Sequence, residues 1–592
     1  MNLLNIALIL PIITALICFA FRNAAKWIAL IVSAIVLIFS VFIFLSGHMI
    51  SPWLMLYSAP FNSGIFMAAA FFTFIVVLFS QKSAEGMERI GEYYGYLLIT
   101  IGAAAGVLFA TDFMTLLFFW GMLGIPLYLL VGIKGNGGAA AKKTLIMVGG
   151  SDALMMIGIA LIWVINGSLM IGAARLPLNN SFTIIAYLSL LAGAFAKAGV
   201  MPLHSWIPDA SEVAPSEVMA FLPASLDKLL GIYLLARISI DVFPVMPNSM
   251  ISILLMAIGS ITILAAVMGA LVQHDFKKLL SFHAISQVGY MVLGIGTGLP
   301  IGIAGGLFHM FNNAVYKSCL FLCQGSVAQA TGETKIEKLG GLAAAMPVTF
   351  YVFLIAAFSI SGIPPFNGFV SKWMIFQSLI ELSKTSPLWI IWLAAAMFGS
   401  AFTLASFVKL IHSVFLGSPT VATNKAREVN WQMWLPTVLL ALLCVVFGVF
   451  AFSLPLKYLV FPATGWILMP GWWEPGLATG LLLLGLAAGA LIYLAGRTGG
   501  VSVKPPYIGG ELIEESATRV TGAEFYNTIR EMPVIKHIYS AAEARFFDIY
   551  EILSGFSRGM SDILSWFHNG LLHTYLAWML LGGIVIIWVL IR

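Results

Sequence analysis

The chain is a series of apolar runs, each long enough to cross a bilayer as a helix. In order they are Leu3–Phe21, Trp27–Leu45, Gly64–Ser80, Tyr93–Ala110, Asp112–Ile133, Thr144–Ile165, Phe182–Ile207 and Ala214–Ile238. The second half adds Met250–Val272, Leu279–Gly298, Gly302–Gln324, Met346–Ile380, Leu388–Phe415, Trp434–Phe452, Leu477–Tyr493 and Leu572–Ile591. A span of about 20 residues covers a ~30 Å hydrocarbon core. Backbone in lipid must satisfy its own hydrogen bonds, which leaves helices or a closed barrel. The runs do not alternate in polarity with period two, so a barrel is excluded. The pattern predicts an all-α polytopic membrane protein of roughly sixteen spans. Charged residues are 9% of the chain, against about 25% in soluble domains. The net charge of +5 comes with no basic tract, which gives nucleic acid nothing to bind.

Two of the runs break. Pro202 and Pro208 interrupt the seventh, and Gly362-Ile363-Pro364-Pro365 the twelfth; proline cannot continue an ordinary helix. Irregular backbone at membrane depth survives only inside protein or along a water-filled cavity. Lys197 precedes the first break and Lys372 follows the second. Each break falls in the fourth span of a five-span block, and blocks of five start on opposite membrane faces. Interrupted helices in inverted repeats are the expected result.

Lys228 and Lys317 also lie within spans. At ~3 kcal/mol each, four buried lysines are costly enough to read as functional. A desolvated lysine alternates between charged and neutral forms, so a row of them passes protons. Histidine titrates near neutrality and extends such a row. His309 is the favoured candidate, two turns before Lys317; His204, His283 and His412 also lie in or near spans. Among acids, Asp152 reads as buried and partnered, Asp227 adjoins Lys228, and Asp112 reads as a helix N-cap. Asp209, Glu212 and Glu217 cluster around the first break, where they would line a mouth. The four cysteines, Cys18, Cys319, Cys323 and Cys444, sit in apolar runs without metal-ligand spacing. The chain is expected to bind no cofactor or metal itself.

Lysine and arginine concentrate in the odd-numbered loops, of which only the seventh has none: Arg22 and Lys26, Lys82 and Arg89, Lys134, Lys142 and Lys143, Lys277 and Lys278, Lys335 and Lys338, Lys425 and Arg427. The positive-inside rule then predicts cytoplasmic odd loops and both termini outside, in a cell inner (plasma) membrane. Beyond Lys504 the composition becomes more charged. From about Val534 to Phe567, apolar residues recur every three or four positions, with Lys536, Glu543, Arg545, Asp548, Glu551, Arg558 and Asp562 opposite. That pattern predicts one amphipathic helix of ~50 Å lying along the cytoplasmic membrane surface and across neighbouring helices. The expected organisation is residues 1–92 as N-terminal helices, 93–240 and 241–417 as inverted repeats forming half-channels, 418–503 as additional helices, and 504–592 as lateral helix and final anchor.

Several motifs resemble one family. Gln273–Met291, Lys197–Ala210, Leu226–Tyr233, His309–Leu322 and Ser361–Lys372 occur in the order found in the antiporter-like subunits of respiratory complex I. The same family includes subunits of multisubunit Na⁺/H⁺ antiporters and of energy-converting membrane-bound hydrogenases. The resemblance covers about Leu97 to Gly417; the tail Tyr507–Glu511 and Thr521–Asn527 looks like the hydrogenase branch. It implies that Lys197 is the central lysine of the first half-channel, Lys228 its inner neighbour, Lys317 the link to the second, and Lys372 the terminal residue. His309 matches the first of a histidine pair whose second position here is Asn313. The family's fifth-span glutamate, which is thought to tune the central lysine, is Gly121 in this chain, and Asp152 is the expected substitute.

The expected function is proton or sodium translocation by one subunit of a redox-driven complex such as a membrane-bound hydrogenase. Iron–sulfur clusters and a nickel–iron site would reside in peripheral redox partners, alongside other membrane subunits and the lipid bilayer. The alternatives are a subunit of a multisubunit Na⁺/H⁺ antiporter, or a non-conducting structural subunit, which Gly121 would favour.

Overall fold

Helices account for most of the described residues in a computed structural model, which describes residues 2–465, 475–496 and 522–591. They are α1 (Leu3–Ala20), α2 (Ala25–Ser46), α3 (Pro60–Ser83), α4 (Ile90–Phe109), α5 (Phe113–Val131), α6 (Gly138–Asn166) and α7 (Ser181–Ala198). Then follow α8 (Trp206–Val213), α9 (Ser216–Val242), α10 (Met250–Leu271), α11 (Phe276–Gly296) and α12 (Pro300–Thr331). The rest are α13 (Pro347–Ser361), α14 (Asn367–Glu381), α15 (Trp389–Leu416), α16 (Trp431–Val449), α17 (Pro475–Gly496), α18 (Pro533–Glu543), α19 (Ile549–Phe567) and α20 (Leu572–Ile591). Among the described residues, thirteen helices are long and apolar enough to cross a membrane. The remaining expected spans correspond to α12, which is more polar, to the interrupted pair α13 and α14, and to α17. The only sheet among the described residues is a hairpin in the second loop, where Met49 pairs with Ser58 and Ser51 with Leu56.

Local signals set the helix starts. Asp112 accepts from the amides of Met114 and Thr115, both at 2.9 Å, so its N-cap reading holds. Asn180 and Asp275 do the same for α7 and α11, and Pro60, Pro300 and Pro347 occupy first-turn positions where a missing N–H costs nothing. Small residues set the closest crossings. A Cβ on Gly259 of α10 would lie 2.8 Å from the Gly289 carbonyl of α11, so these two backbones touch. A Cβ on Gly231 of α9 would lie 2.8 Å from the Ala198 backbone nitrogen, so α9 runs directly against the last turn of α7.

Helix α9 is interrupted. Around Leu222–Leu226 its turns widen to an i→i+5 pattern, because Pro223 has no N–H to give. The freed carbonyls are satisfied from α12: Asn313 Nδ2 donates to Ala224 O at 3.1 Å and Ser318 Oγ to Ala220 O at 2.9 Å. Asn313, at the family's second histidine position, is thus a backbone clamp here.

The chain divides into two compact units, Met1–Arg530 and Glu531–Arg592. Within the second, the expected single helix is two. α18 ends at Glu543, Arg545 takes a left-handed conformation at φ +58°, and Asp548 caps α19. The apolar periodicity runs through this bend, which is why the sequence pattern reads as continuous. α19 still segregates its faces, with Leu553, Phe556, Met560 and Leu564 all exposed. Of the tail motif, Tyr507–Glu511 lies outside the described residues.

Candidate functional site

The first break begins at a left-handed glycine. Gly199 has φ +74° and ends α7 as a C′ residue. The last carbonyls of α7 then need donors. Trp206 Nε1 of α8 donates to Ala196 O at 2.9 Å, and the Lys228 ammonium of α9 donates to Ala198 O. The second break repeats this. Gly362 has φ +81°, Lys372 Nζ donates to Ile360 O at 2.8 Å, and Ser400 Oγ donates to Ser361 O at 3.0 Å. By structural role, then, Lys372 corresponds to Lys228; each ammonium sits at the negative end of a broken helix. Both lysines are buried.

Lys197 has a different setting. It is fully buried, its Nζ lies 4.8 Å from the Trp120 ring centroid, and no group among the described residues hydrogen-bonds it. Two carboxylates attract it, Asp227 most and Asp152 next. Asp227 Oδ2 is likewise buried without a hydrogen-bond partner, while the Trp120 indole N–H is turned to the Asp152 carboxylate. Gly121 follows Trp120 on α5, and a Cβ there would meet nothing within 4 Å. Asp227 and Lys228 are sequence neighbours that point apart, one toward Lys197 and the other into the break.

Lys317 of α12 donates to Leu280 O at 2.9 Å and lies 5.8 Å from the Phe407 ring. It is within electrostatic reach of Lys228 on one side and of His283 on the other. His283 of α11 bonds Ser406 Oγ of α15 at 2.8 Å and also feels Lys372 and Lys409. His309 bonds Ser371 Oγ at 2.8 Å and Gln287 Oε1 at 3.2 Å, beside Lys372. Lys372 in turn lies over the Tyr290 ring at 4.8 Å.

One row therefore links Asp152, Lys197, Asp227, Lys228, Lys317, His283, Lys372 and His309. Six of these residues are the sequence candidates, Asp227 is the stated neighbour of Lys228 in α9, and His283, ranked below His309 by sequence, occupies the junction. His204 lies in the turn between α7 and α8, partly exposed. Lys409 escaped notice because a lysine one turn from a span's end reads as reaching for the interface. It is instead fully buried.

The acids near the first break are paired. Asp209 Oδ2 lies 2.7 Å from Lys143 Nζ, Glu212 Oε1 lies 2.5 Å from Lys278 Nζ, and Glu217 is buried.

A helical membrane protein with two broken helices, each capped by a buried lysine, and a row of titratable groups between them belongs to the antiporter-like class. Residues 110–403 match the family model described as NADH:quinone oxidoreductase/Mrp antiporter, transmembrane, so the stretch that holds both breaks is antiporter-like. The chain is 31% identical over 495 residues to Na⁺/H⁺ antiporter subunit A1 of Staphylococcus epidermidis, covering 76% of this chain and 61% of that protein. The counterpart from Staphylococcus haemolyticus is 31% identical over 509 residues, covering 78% and 63%. The chain thus spans about three-fifths of the length of these curated relatives. Among solved structures, a chain of the membrane-bound sulfane sulfur reductase, an archaeal respiratory membrane complex, superposes with TM-score 0.84 at 25% identity, covering 99% of this chain and 100% of that one. The Mrp complex of Dietzia sp. DQ12-45-1b gives 0.71 at 22%, covering 78% and 96%. Respiratory complex I of Thermus thermophilus gives 0.67 at 20%, covering 78% and 98%; these last two likenesses establish fold alone.

Proposed function

We propose that this chain carries protons or sodium ions across the plasma membrane as one subunit of a redox-driven membrane complex. The observation that carries this reading is the row from Asp152 to His309, whose members lie within electrostatic reach of one another beside both broken helices and are buried along most of its length. Lys197, Lys228 and Lys317 each have a charged neighbour that acts on their own charge. End-to-end correspondence with a subunit of a respiratory membrane complex supports the redox-driven setting. Electron transfer would then belong to peripheral partners holding iron–sulfur clusters and, in a hydrogenase, a nickel–iron site. Other membrane subunits would flank this one, with both termini outside. The exposed apolar face of α19 would lie on the cytoplasmic side against lipid or a neighbouring subunit.

A second reading, a subunit of a multisubunit Na⁺/H⁺ antiporter, is favoured by the identity to the subunit A1 proteins. Purification separates the two: the first requires co-purifying iron–sulfur chains and the second does not. Translocation itself is tested with Lys197→Ala and Lys317→Ala in the intact complex. Both should cut ion pumping by at least tenfold while the subunits still co-purify. Unchanged pumping in both would leave a scaffold and end the translocation reading.

A further inference from the structure

The row has a branch that the broken helices do not account for. At the odd-loop end of α15, the buried Lys409 ammonium donates to Leu271 O at 2.7 Å and Gln273 O at 2.9 Å. These carbonyls close α10, so the cation sits at the negative end of that helix. An ammonium has three N–H groups; these bonds use two. Two carboxylates attract Lys409, Glu337 first and Glu524 second.

Glu337 is hydrogen-bonded to His274, and both are about one-third exposed, at 31% and 39% of the side chain. Their loops are stitched together by Phe276 N to Thr334 O at 3.0 Å and Ile336 N to His274 O at 2.9 Å. Glu524 arrives on a separate segment, Gly522–Arg530, which crosses the same end of α15. Tyr526 Oη donates to Ala405 O at 2.8 Å, and the Phe525 ring lies tilted 5.3 Å from His412. Gly522 presses on Ser413 so closely that a Cβ there would lie 2.0 Å from Ser413 Oγ. Inward, Ser406 is one turn from Lys409 on α15 and bonds His283, which faces Lys317 and Lys372.

We propose that this end of α15 is a proton mouth of the second repeat, with Lys409 as its inner relay and the segment Gly522–Arg530 as its cover. The proposal rests on the translocation reading and adds a route to it. Lys409, as a neutral amine, takes a proton from the carboxylic acid of Glu524 or Glu337, leaving a carboxylate. The resulting ammonium then gives a proton to Ser406 Oγ as that hydroxyl passes its own proton to Nε2 of His283. The lysine returns to the amine and the imidazole becomes the cation. The titratable groups facing Lys409 are Glu337, Glu524 and His283, with His274 behind Glu337.

Two measurements on the intact complex test this. Arginine keeps the charge but does not deprotonate in proteins, so Lys409→Arg separates relay from scaffold. Pumping should fall at least tenfold in Lys409→Arg, as in Lys409→Met, in vesicles where the complex still co-purifies. The cover is tested by a membrane-impermeant maleimide on Ser413→Cys, in vesicles of both orientations; the four native cysteines are buried. Labelling should be slow, and at least tenfold faster when Gly522→Leu lifts the segment. Wild-type pumping in Lys409→Arg overturns the relay, and an unchanged labelling rate overturns the cover. If Lys197→Ala abolishes pumping while Lys409→Arg does not, only this mouth is lost. If neither matters, the translocation reading falls with it.

Discussion

Lys197 is held by two acids and an indole, and no hydrogen bond fixes it. That arrangement makes its charge state sensitive to either carboxylate, since opposite charges within about 4–6 Å favour both charged forms. Asp227 exerts the larger attraction, so Asp227→Asn should lower pumping more than Asp152→Asn. Expected losses are about tenfold and threefold, where tenfold corresponds to ~1.4 kcal/mol in a barrier. Initial rates of vesicle acidification would decide the order. Space beside Gly121 is open, so Gly121→Glu adds a carboxylate without displacing backbone and should partly restore the Asp152→Asn variant. Absence of any rescue would place the fifth-helix position outside the lysine's reach. The four lysines, His309 and Asp152 were readable in sequence because charge within an apolar run is conspicuous. The roles of Asp227 and His283 were not, because the direction of a side chain depends on which helix its own packs against.

The breaks behave as designed helix ends, with donors supplied from elsewhere in the bundle. Gly231 lets α9 approach α7 closely enough for Lys228 to reach Ala198 O. A Gly231→Val substitution should push the helices apart and lower pumping by about the same factor as Lys228→Met. Combining them should cost little more than either alone, because both remove one contact; additive losses would show the two positions act separately. Glu333 offers a check outside the membrane. Its bond to Lys338, helped by the amides of Lys335 and Thr334, holds the carboxyl below the ordinary 4.5, at about 2. A depressed carboxyl contributes stability above its unfolded value and loses it as pH falls toward 2. Amide protection of the loop, corrected for intrinsic exchange, should therefore hold at neutral pH and decline below 4.5. In Glu333→Gln it should be roughly fivefold lower at neutral pH, about 1 kcal/mol after discounting for partial exposure. Proline and glycine announced the breaks in sequence. The left-handed Arg545 that divides the tail helix did not announce itself, since the apolar repeat continues across it.

For the molecule as a whole, the span pattern was the most readable feature and the wiring between spans the least. Hydropathy marks each helix separately, whereas the row depends on which of them cross. Orientation follows from the lysines and arginines of the odd loops. Reporter fusions after Lys143 and Lys338 should both be cytoplasmic; an outside signal from either reverses the assignment.

Five steps along the series of spans lead from α7 to α13, an odd number, so in a bilayer the two capped breaks would point in opposite directions. A transmembrane voltage therefore pulls one lysine toward its carbonyl and the other away from it. One elementary charge moved across the whole membrane is worth about 2.3 kcal/mol per 100 mV. A tenth of that path would thus bias the two ends by roughly 0.2 kcal/mol each, with opposite sign. The two lysines are alike in their local bonds and become unequal in an energised membrane, so the proposed translocation would gain a directional preference even before any partner acts.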